Sequence, residues 1–267
     1  MNKPTGSIDV VWENISGVRT EMKIPTHGKP VIKMLTMPCK KAQEILCDVA
    51  DLMIDCNIPE DEDGFDYVWT GLRPVHSKVP VFSPCTGVDH IQSPEIIHLD
   101  QRWKDTEGKE ITSTAEHTLS LMLQLAKLGS IQLYGKNILI VGMGRIGSMV
   151  ANYSKALGMN VTYTNNYKEI KDLSVFNVIS IHVPLSKDTY HLINGTQIFK
   201  KYAIIINTSR KDIVYYESLP EFVYYASDFS EGDLYTNHIG GNCIEARELT
   251  DIYIAKKFVE YVKNKNV

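Results

Sequence analysis

The stretch ILIVGMGRIGSMV, Ile138 to Val150, limits the fold more than any other part of the chain. An apolar run of strand type ends in three glycines, Gly142, Gly144 and Gly147, and an amphipathic segment follows without a break. The G-x-G-x-x-G spacing suits a strand–turn–helix unit. The first glycine allows the tight turn, the second lets a ligand approach the backbone, and the third lets the helix pack against the strand. Arg145 and Ile146 open the helix, whose free N–H groups and partial positive charge favour an anion. This context marks Gly142, Gly144, Arg145, Ile146 and Gly147 as a cradle for the pyrophosphate of a dinucleotide.

From Asn137 onward the pattern is regular. NILIV, NVTYT, FNVISIHVP and YAIIIN read as strands, with helices over the segment to Leu157 and over NGTQIFKK. Apolar strands separated by short helices predict a doubly wound parallel α/β sheet covered on both faces. Before about residue 110 the elements are shorter: KPVIKMLT as a strand, PCKKAQEILCDVADLM as a helix, FDYVWTGLRP and VPVFSPCTGVDHI as strands ending in loops, and DQRWKDTEGKE as a polar surface connection. The expected organisation is a smaller α/β substrate domain over residues 1–104, a dinucleotide-binding domain over 105–242, and a C-terminal helix over 243–267 returning to the first domain. With the chain ending at Val267, no added regulatory domain is expected.

Between the two parts lies STAEHTLSLMLQLAKLG, a helix with Ser113 and Glu116 at capping-box spacing and Gly129 at its far end. Its apolar residues form two stripes, Leu119, Met122, Leu123 and Ala126, and Leu121, Leu125 and Leu128. A helix on a one-sided surface needs one stripe. The second implies either deep burial within one subunit or a packing partner, and we read a homodimer.

Charge and cysteine usage exclude several classes. The net charge is -4, with no basic block, which disfavours nucleic-acid and anionic-membrane partners. No segment reaches the ~20 apolar residues of a membrane span, and the N-terminal MNKPTGSIDVVW has no signal-type apolar run. Cys39, Cys47, Cys56, Cys85 and Cys243 include no C-x-x-C pair, so neither a disulfide framework nor a metal site is expected, and the cytoplasm is the default compartment.

The end of the second strand carries a further signal. An acidic residue there binds the ribose hydroxyls of NAD and repels the 2′-phosphate of NADP. This chain has Asn165, with Lys168 shortly behind. Asparagine can bond ribose but cannot repel a phosphate, so dual use of NAD and NADP is expected.

Several segments together, GLRP, CTGVDHI, TAEHTLSLMLQLAK, the glycine-loop region, VISIHVPLSKDTYHLIN, AIIINTSRKDIV and TNHIGG, resemble the D-isomer-specific 2-hydroxyacid dehydrogenases of the phosphoglycerate dehydrogenase and glyoxylate/hydroxypyruvate reductase group. The resemblance runs from about Trp69. It implies hydride transfer between a nicotinamide cofactor and a small 2-keto or D-2-hydroxy acid of glyoxylate, hydroxypyruvate or 3-phosphohydroxypyruvate type. By the same resemblance Arg210 binds the substrate carboxylate and polarises the keto oxygen, and His238 is the general acid of reduction. Gly87 and Val88 offer backbone N–H groups to the carboxylate, and Arg73 reaches the substrate. Asp228, Pro184 and Thr208 line the cofactor site, Asp228 at the nicotinamide amide. The cleft between the two domains would close on the substrate. His76, His90, His117, His182 and His191 read as structural or peripheral.

The pattern breaks after Asp228. The family's third catalytic group is a carboxylate that orients the histidine, and its spacing falls on Asp233, with Glu231 close by. Only four residues separate Asp233 from His238, where a long loop is usual. Either acid reaches His238 from a tight loop, or the acid is lost; we read a retained acid and leave the two open. A parallel crossover needs about a dozen residues, so GDLYTNH is not expected to add an ordinary parallel strand. The shortened loop also sustains a rival reading, an NAD(H)-binding regulatory or corepressor-like protein with little turnover, against which the presence of both Arg210 and His238 argues.

Overall fold

A five-stranded parallel sheet forms in one of two units, Met1–Gly108 with Ile244–Val267, and a six-stranded one in the other, Lys109–Cys243. The computed structural model describes residues 7–13, 19–25, 29–54, 65–167 and 170–265, the first two segments by their backbone alone. Ser7–Glu13 and Arg19–Pro25 pair as an antiparallel hairpin.

In the first unit, β1 (Val31–Met34), α1 (Lys40–Cys47), β2 (Asp51–Ile54), β3 (Tyr67–Trp69), β4 (Val81–Ser83) and β5 (Ile96–His98) build a sheet of order β2-β1-β3-β4-β5, parallel throughout. The C-terminal helix, Ile244–Lys265, covers it. Phe258 stands edge-on to Phe82 and Tyr67, with centroids 4.9 and 5.2 Å apart, a favoured aromatic geometry. Buried Asp251 accepts the Cys39 N–H at 2.7 Å ahead of α1, and Arg247 donates to the Met37 carbonyl at 2.8 Å.

Two expectations are corrected in this unit. The helix predicted through Met53 stops at Cys47; the Asp51 N–H donates to the Pro30 carbonyl, and the segment joins β1 as an edge strand. The polar connection DQRWKDTEGKE holds a short helix, α2 (Gln101–Asp105), capped by the Asp100 carboxylate and burying Trp103, on whose indole Gly108 lies without room for a Cβ. Asp100 also takes bonds from Tyr253 and Lys257, tying α2 to the C-terminal helix.

The second unit opens with α3 (Ser113–Leu128) and continues through β6 (Asn137–Val141), α4 (Arg145–Ala156), β7 (Asn160–Thr164), β8 (Val178–Ile181), β9 (Ile204–Asn207), β10 (Tyr224–Ser227) and β11 (Leu234–Tyr235). The strand order is β7-β6-β8-β9-β10-β11, all parallel. β8 and β9 are buried along their whole length, and apolar clusters fill both faces, which produces the continuous apolar runs of the sequence. Winding reverses at β6, so the carboxyl ends of β6 and β8 flank the crevice where such sheets bind ligands.

Four readings of this unit change. NGTQIFKK is no helix: the Asn194 side chain accepts the Thr196 N–H and hydroxyl, Gln197 accepts the Asn194 N–H, and after this turn Ile198–Phe199 pairs in parallel with Asp172–Leu173. The Ser113–Glu116 capping box does not form, because Thr112 precedes the helix and its hydroxyl bonds Glu116 instead. The two stripes of α3 are sorted differently: Leu121, Met122, Leu125 and Ala126 all bury, drawn from both, whereas Leu123 and Leu128 stay 43% and 70% exposed. Finally, Leu234–Tyr235 does pair in parallel with Ala226–Ser227 across a six-residue connection. The loop fits because it closes on its own strand. The Ser227 hydroxyl bonds the Phe229 and Glu231 carbonyls, and Gly232 turns at φ +110°, its missing Cβ leaving room for the Tyr225 carbonyl.

Candidate active site

The three glycines of the loop differ in what surrounds them. Gly142 has φ +95°, and a Cβ there would stand 2.7 Å from the His182 carbonyl oxygen. A Cβ on Gly147 would overlap the Gly142 carbonyl, so α4 lies against the turn with only hydrogen between. At Gly144, which caps α4, no heavy atom lies within 4 Å of that position. Turn, open approach and close packing thus fall on the three positions in order, and the residues fit a pyrophosphate at the α4 N-terminus.

Around this cradle, the Asn165 Oδ1 accepts the Met143 N–H at 2.9 Å, so the side chain braces the glycine loop and keeps its NH₂ group as the remaining donor. Lys168 lies outside the described residues. The Arg145 guanidinium donates to the Ile111 carbonyl, and burial lowers its pKa from the usual arginine value. Ile146, partly buried, packs on the core. The Pro184 carbonyl accepts the Thr189 hydroxyl at 2.6 Å, and Thr208 bonds Thr118 of α3 at 2.8 Å. His182, beside Gly142, is held neutral by burial, which takes its pKa down to about 3, and its Nε2 bonds Ser180.

Arg210 follows β9 and precedes a 3₁₀ turn, Lys211–Ile213; it is half-buried, with one guanidinium N–H on the Ser209 carbonyl. His238 lies on the loop after β11 with φ +55°, a left-handed conformation uncommon for a residue with a Cβ. It is exposed and lines a cavity of about 310 Å³ with Lys211, Asp228, Phe229, Ser230 and Asn237. The backbone of Asp228 accepts the His238 N–H at 2.9 Å. Its buried carboxylate accepts the Ile239 and Gly240 N–H groups, each at 2.8 Å, and the Thr236 hydroxyl at 2.6 Å. Burial pushes that carboxyl up, but bonds from His117, Thr236 and the two backbone N–H groups outweigh it and hold the pKa at about 2.

The two candidate acids are engaged by Tyr225 of β10 and by Lys211. Asp233 accepts the Tyr225 N–H at 2.8 Å and returns its own N–H to the Tyr225 carbonyl. Glu231 pairs with Lys211 at 3.2 Å and accepts the Tyr225 hydroxyl at 3.4 Å.

Arg73, Gly87 and Val88 belong to the first unit, where Arg73 is exposed and the other two are half-buried. The loops that carry them leave adjacent strands, β3 and β4, and are joined by His90, whose Nε2 bonds the Gly71 carbonyl at 2.9 Å. Arg73 and the Gly87–Val88 backbone therefore share one end of that sheet.

Residues 112–224 match the family model for the NAD-binding domain of the D-isomer-specific 2-hydroxyacid dehydrogenases. Over those residues the chain is similar to that family. A glyoxylate reductase of Korarchaeum cryptofilum is 39% identical over 97 residues, 30% of this chain and 29% of the relative. An erythronate-4-phosphate dehydrogenase of Bacteroides fragilis is 31% identical over 163 residues, 54% of this chain and 47% of the relative. The chain spans about a third to a half of the length of such relatives. In fold it is similar to an NAD⁺-bound 3-phosphoglycerate dehydrogenase of Entamoeba histolytica, with a TM-score of 0.69 at 18% identity over 89% of this chain and 96% of that one. The matched residues take in the glycine loop and run from the end of the segment before α3 to the first residue of β10. Among the described residues no three potential metal ligands cluster, and no helix is long and apolar enough to cross a membrane.

Sequence reasoning gave no site role to four side chains that touch or brace groups it had singled out. His117 and Thr236, 119 positions apart, meet at 2.8 Å, and His90 joins the two first-unit loops. Nothing local in the sequence marks them, because each acts through a partner that only the fold brings near. Lys211 sits directly after Arg210, and its place in the His238 cavity becomes visible once the Glu231 loop is closed.

Proposed function

We propose that the protein reduces a small 2-keto acid to the D-2-hydroxy acid, and catalyses the reverse oxidation, with a nicotinamide cofactor. The observation that carries this is His238, exposed in a cavity and held in a left-handed backbone conformation, in the same unit as the glycine cradle and Arg210. The reduced nicotinamide, when bound, supplies the hydride that reaches C2. Arg210 binds the carboxylate bidentately and draws charge from the keto oxygen, and His238 gives that oxygen its proton as the alcohol forms. Gly87 and Val88 give backbone N–H groups to the carboxylate, and Arg73 adds a charge for the rest of the substrate.

The cofactor range we propose is NAD and NADP alike. Asn165 has its oxygen committed to Met143, so the group it offers is an N–H donor, able to serve a ribose oxygen or a 2′-phosphate and unable to repel the latter. The exposed leucines of α3 support a homodimer, and the thiol pattern and the charge of -4 support a cytoplasmic enzyme without nucleic-acid or membrane partners.

Replacing His238 tests the reading. In His238→Ala, kcat for reduction falls by about 10²–10⁴-fold, the usual worth of a general acid, while the cofactor still binds. Activity within a factor of two of wild type removes His238 from the chemistry, and a wild type inert toward every keto acid favours the regulatory rival.

A further inference from the structure

We propose that His117 is a positioning residue: through Thr236 and Asp228 it anchors to α3 the loop that presents His238. The inference rests on the reading of His238 as the proton donor.

Four strands of geometry carry it. The His117 Nε2 lies 2.8 Å from the Thr236 hydroxyl, and that hydroxyl lies 2.6 Å from the Asp228 Oδ1. A hydroxyl has one proton to give, and Asp228 is ionised, so Thr236 donates to Asp228 and His117 donates to Thr236. The His117 ring also stands 3.5 Å from the same carboxylate oxygen. Asp228 in turn holds three consecutive backbone N–H groups, those of His238, Ile239 and Gly240. Gly240 leaves the space this needs, since a Cβ there would stand 2.9 Å from the Asp228 Oδ2 and 3.1 Å from the His117 ring.

The clamp explains the backbone of His238. A left-handed conformation is unfavourable for a residue with a Cβ and persists only where the surroundings over-determine it. Here three N–H groups point at one residue, and that residue is fixed to a 16-residue helix packed on the sheet. Loosening the clamp lets the imidazole drift, and a misplacement of about 1 Å can cost about 10²-fold in rate.

Paired substitutions test the role. His117→Phe and Thr236→Val remove the donor and the relay, whereas His117→Gln and Thr236→Ser keep a group at each place. With NADH and whichever keto acid the wild type reduces, the first pair should lose about ten- to a hundredfold in kcat, with KM for NADH within about threefold of wild type. The conservative pair should recover most of that loss. Amide exchange at Ile239 and Gly240 should speed up about tenfold in Thr236→Val, and the double variant His117→Phe/Thr236→Val should be no slower than the worse single one. Wild-type turnover with Thr236→Val inside a factor of two overturns this role alone, as does a loss that appears only in KM for NADH or one that Thr236→Ser and His117→Gln share in full. A wild type without turnover on any keto acid overturns the functional reading, and this role with it.

Discussion

Single glycines in this chain have different duties, and that difference can be measured. Gly147 has the Gly142 carbonyl where its Cβ would go, while Gly144 has open space. Gly147→Ala should therefore fail structurally, with a large fall in melting temperature or no soluble protein. Gly144→Ala should melt within a degree or two of wild type but bind NADH at least about tenfold more weakly, because the added methyl occupies the approach to the phosphates. Equal melting losses in the two variants would remove the distinction. Asn165 gives a second test at this scale. Asn165→Asp adds an acceptor and a negative charge at the ribose, so kcat/KM should move toward NADH, chiefly by weakening NADPH. If wild type already prefers NADH a hundredfold, about 2.7 kcal/mol, another group sets the choice.

Among the elements, the C-terminal helix is pinned to the start of α1 by a carboxylate in the wrong solvent. Burial raises the Asp251 pKa to about 6 against an ordinary 3.8, although the Cys39 N–H and Arg247 pull it down. The native state thus holds more protons than the unfolded state between those values, so stability falls as pH rises through the window, and the loss is complete above about 6. Two pKa units correspond to at most about 3 kcal/mol. Asp251→Asn keeps an oxygen for Cys39 and removes the buried charge, so it should raise the melting temperature at pH 7.5 and flatten the dependence between pH 4 and 6. A lower melting temperature at pH 7.5 would mean that the charge itself stabilises the contact. Asp228 runs the other way: held at about 2, it stays ionised at any pH used for assay, so the His238 loop keeps its clamp. The elements also show what a sequence can disclose. The glycine loop was legible because its three glycines fall within six residues at the spacing of a strand–turn–helix unit. The parallel sheet was legible from buried strands such as Ile204–Asn207. The turn at Asn194 was not, because a side chain satisfied backbone groups that the helical pattern had assigned to one another. The clamp of His117, Thr236 and Asp228 was hidden for another reason: His117 stands 119 positions from Thr236, and neither carries a local signal.

The whole molecule is two parallel-sheet units, with catalytic and cofactor groups proposed in the second and carboxylate-binding groups in the first. The exposed Leu123 and Leu128 belong to the assembly question. Light scattering should show a dimer, and Leu123→Glu with Leu128→Glu should shift it to monomer; a monomeric wild type at micromolar concentration excludes that use of α3. Turnover is measured most directly as the loss of reduced-nicotinamide absorbance with glyoxylate, hydroxypyruvate, 3-phosphohydroxypyruvate and larger 2-keto acids, using NADH and NADPH in turn. At least one acid should be reduced with either cofactor, giving the D-2-hydroxy acid, and His238→Ala should abolish the signal while still binding cofactor. Tight cofactor binding without turnover on any acid, or turnover that survives His238→Ala, would contradict the proposed function.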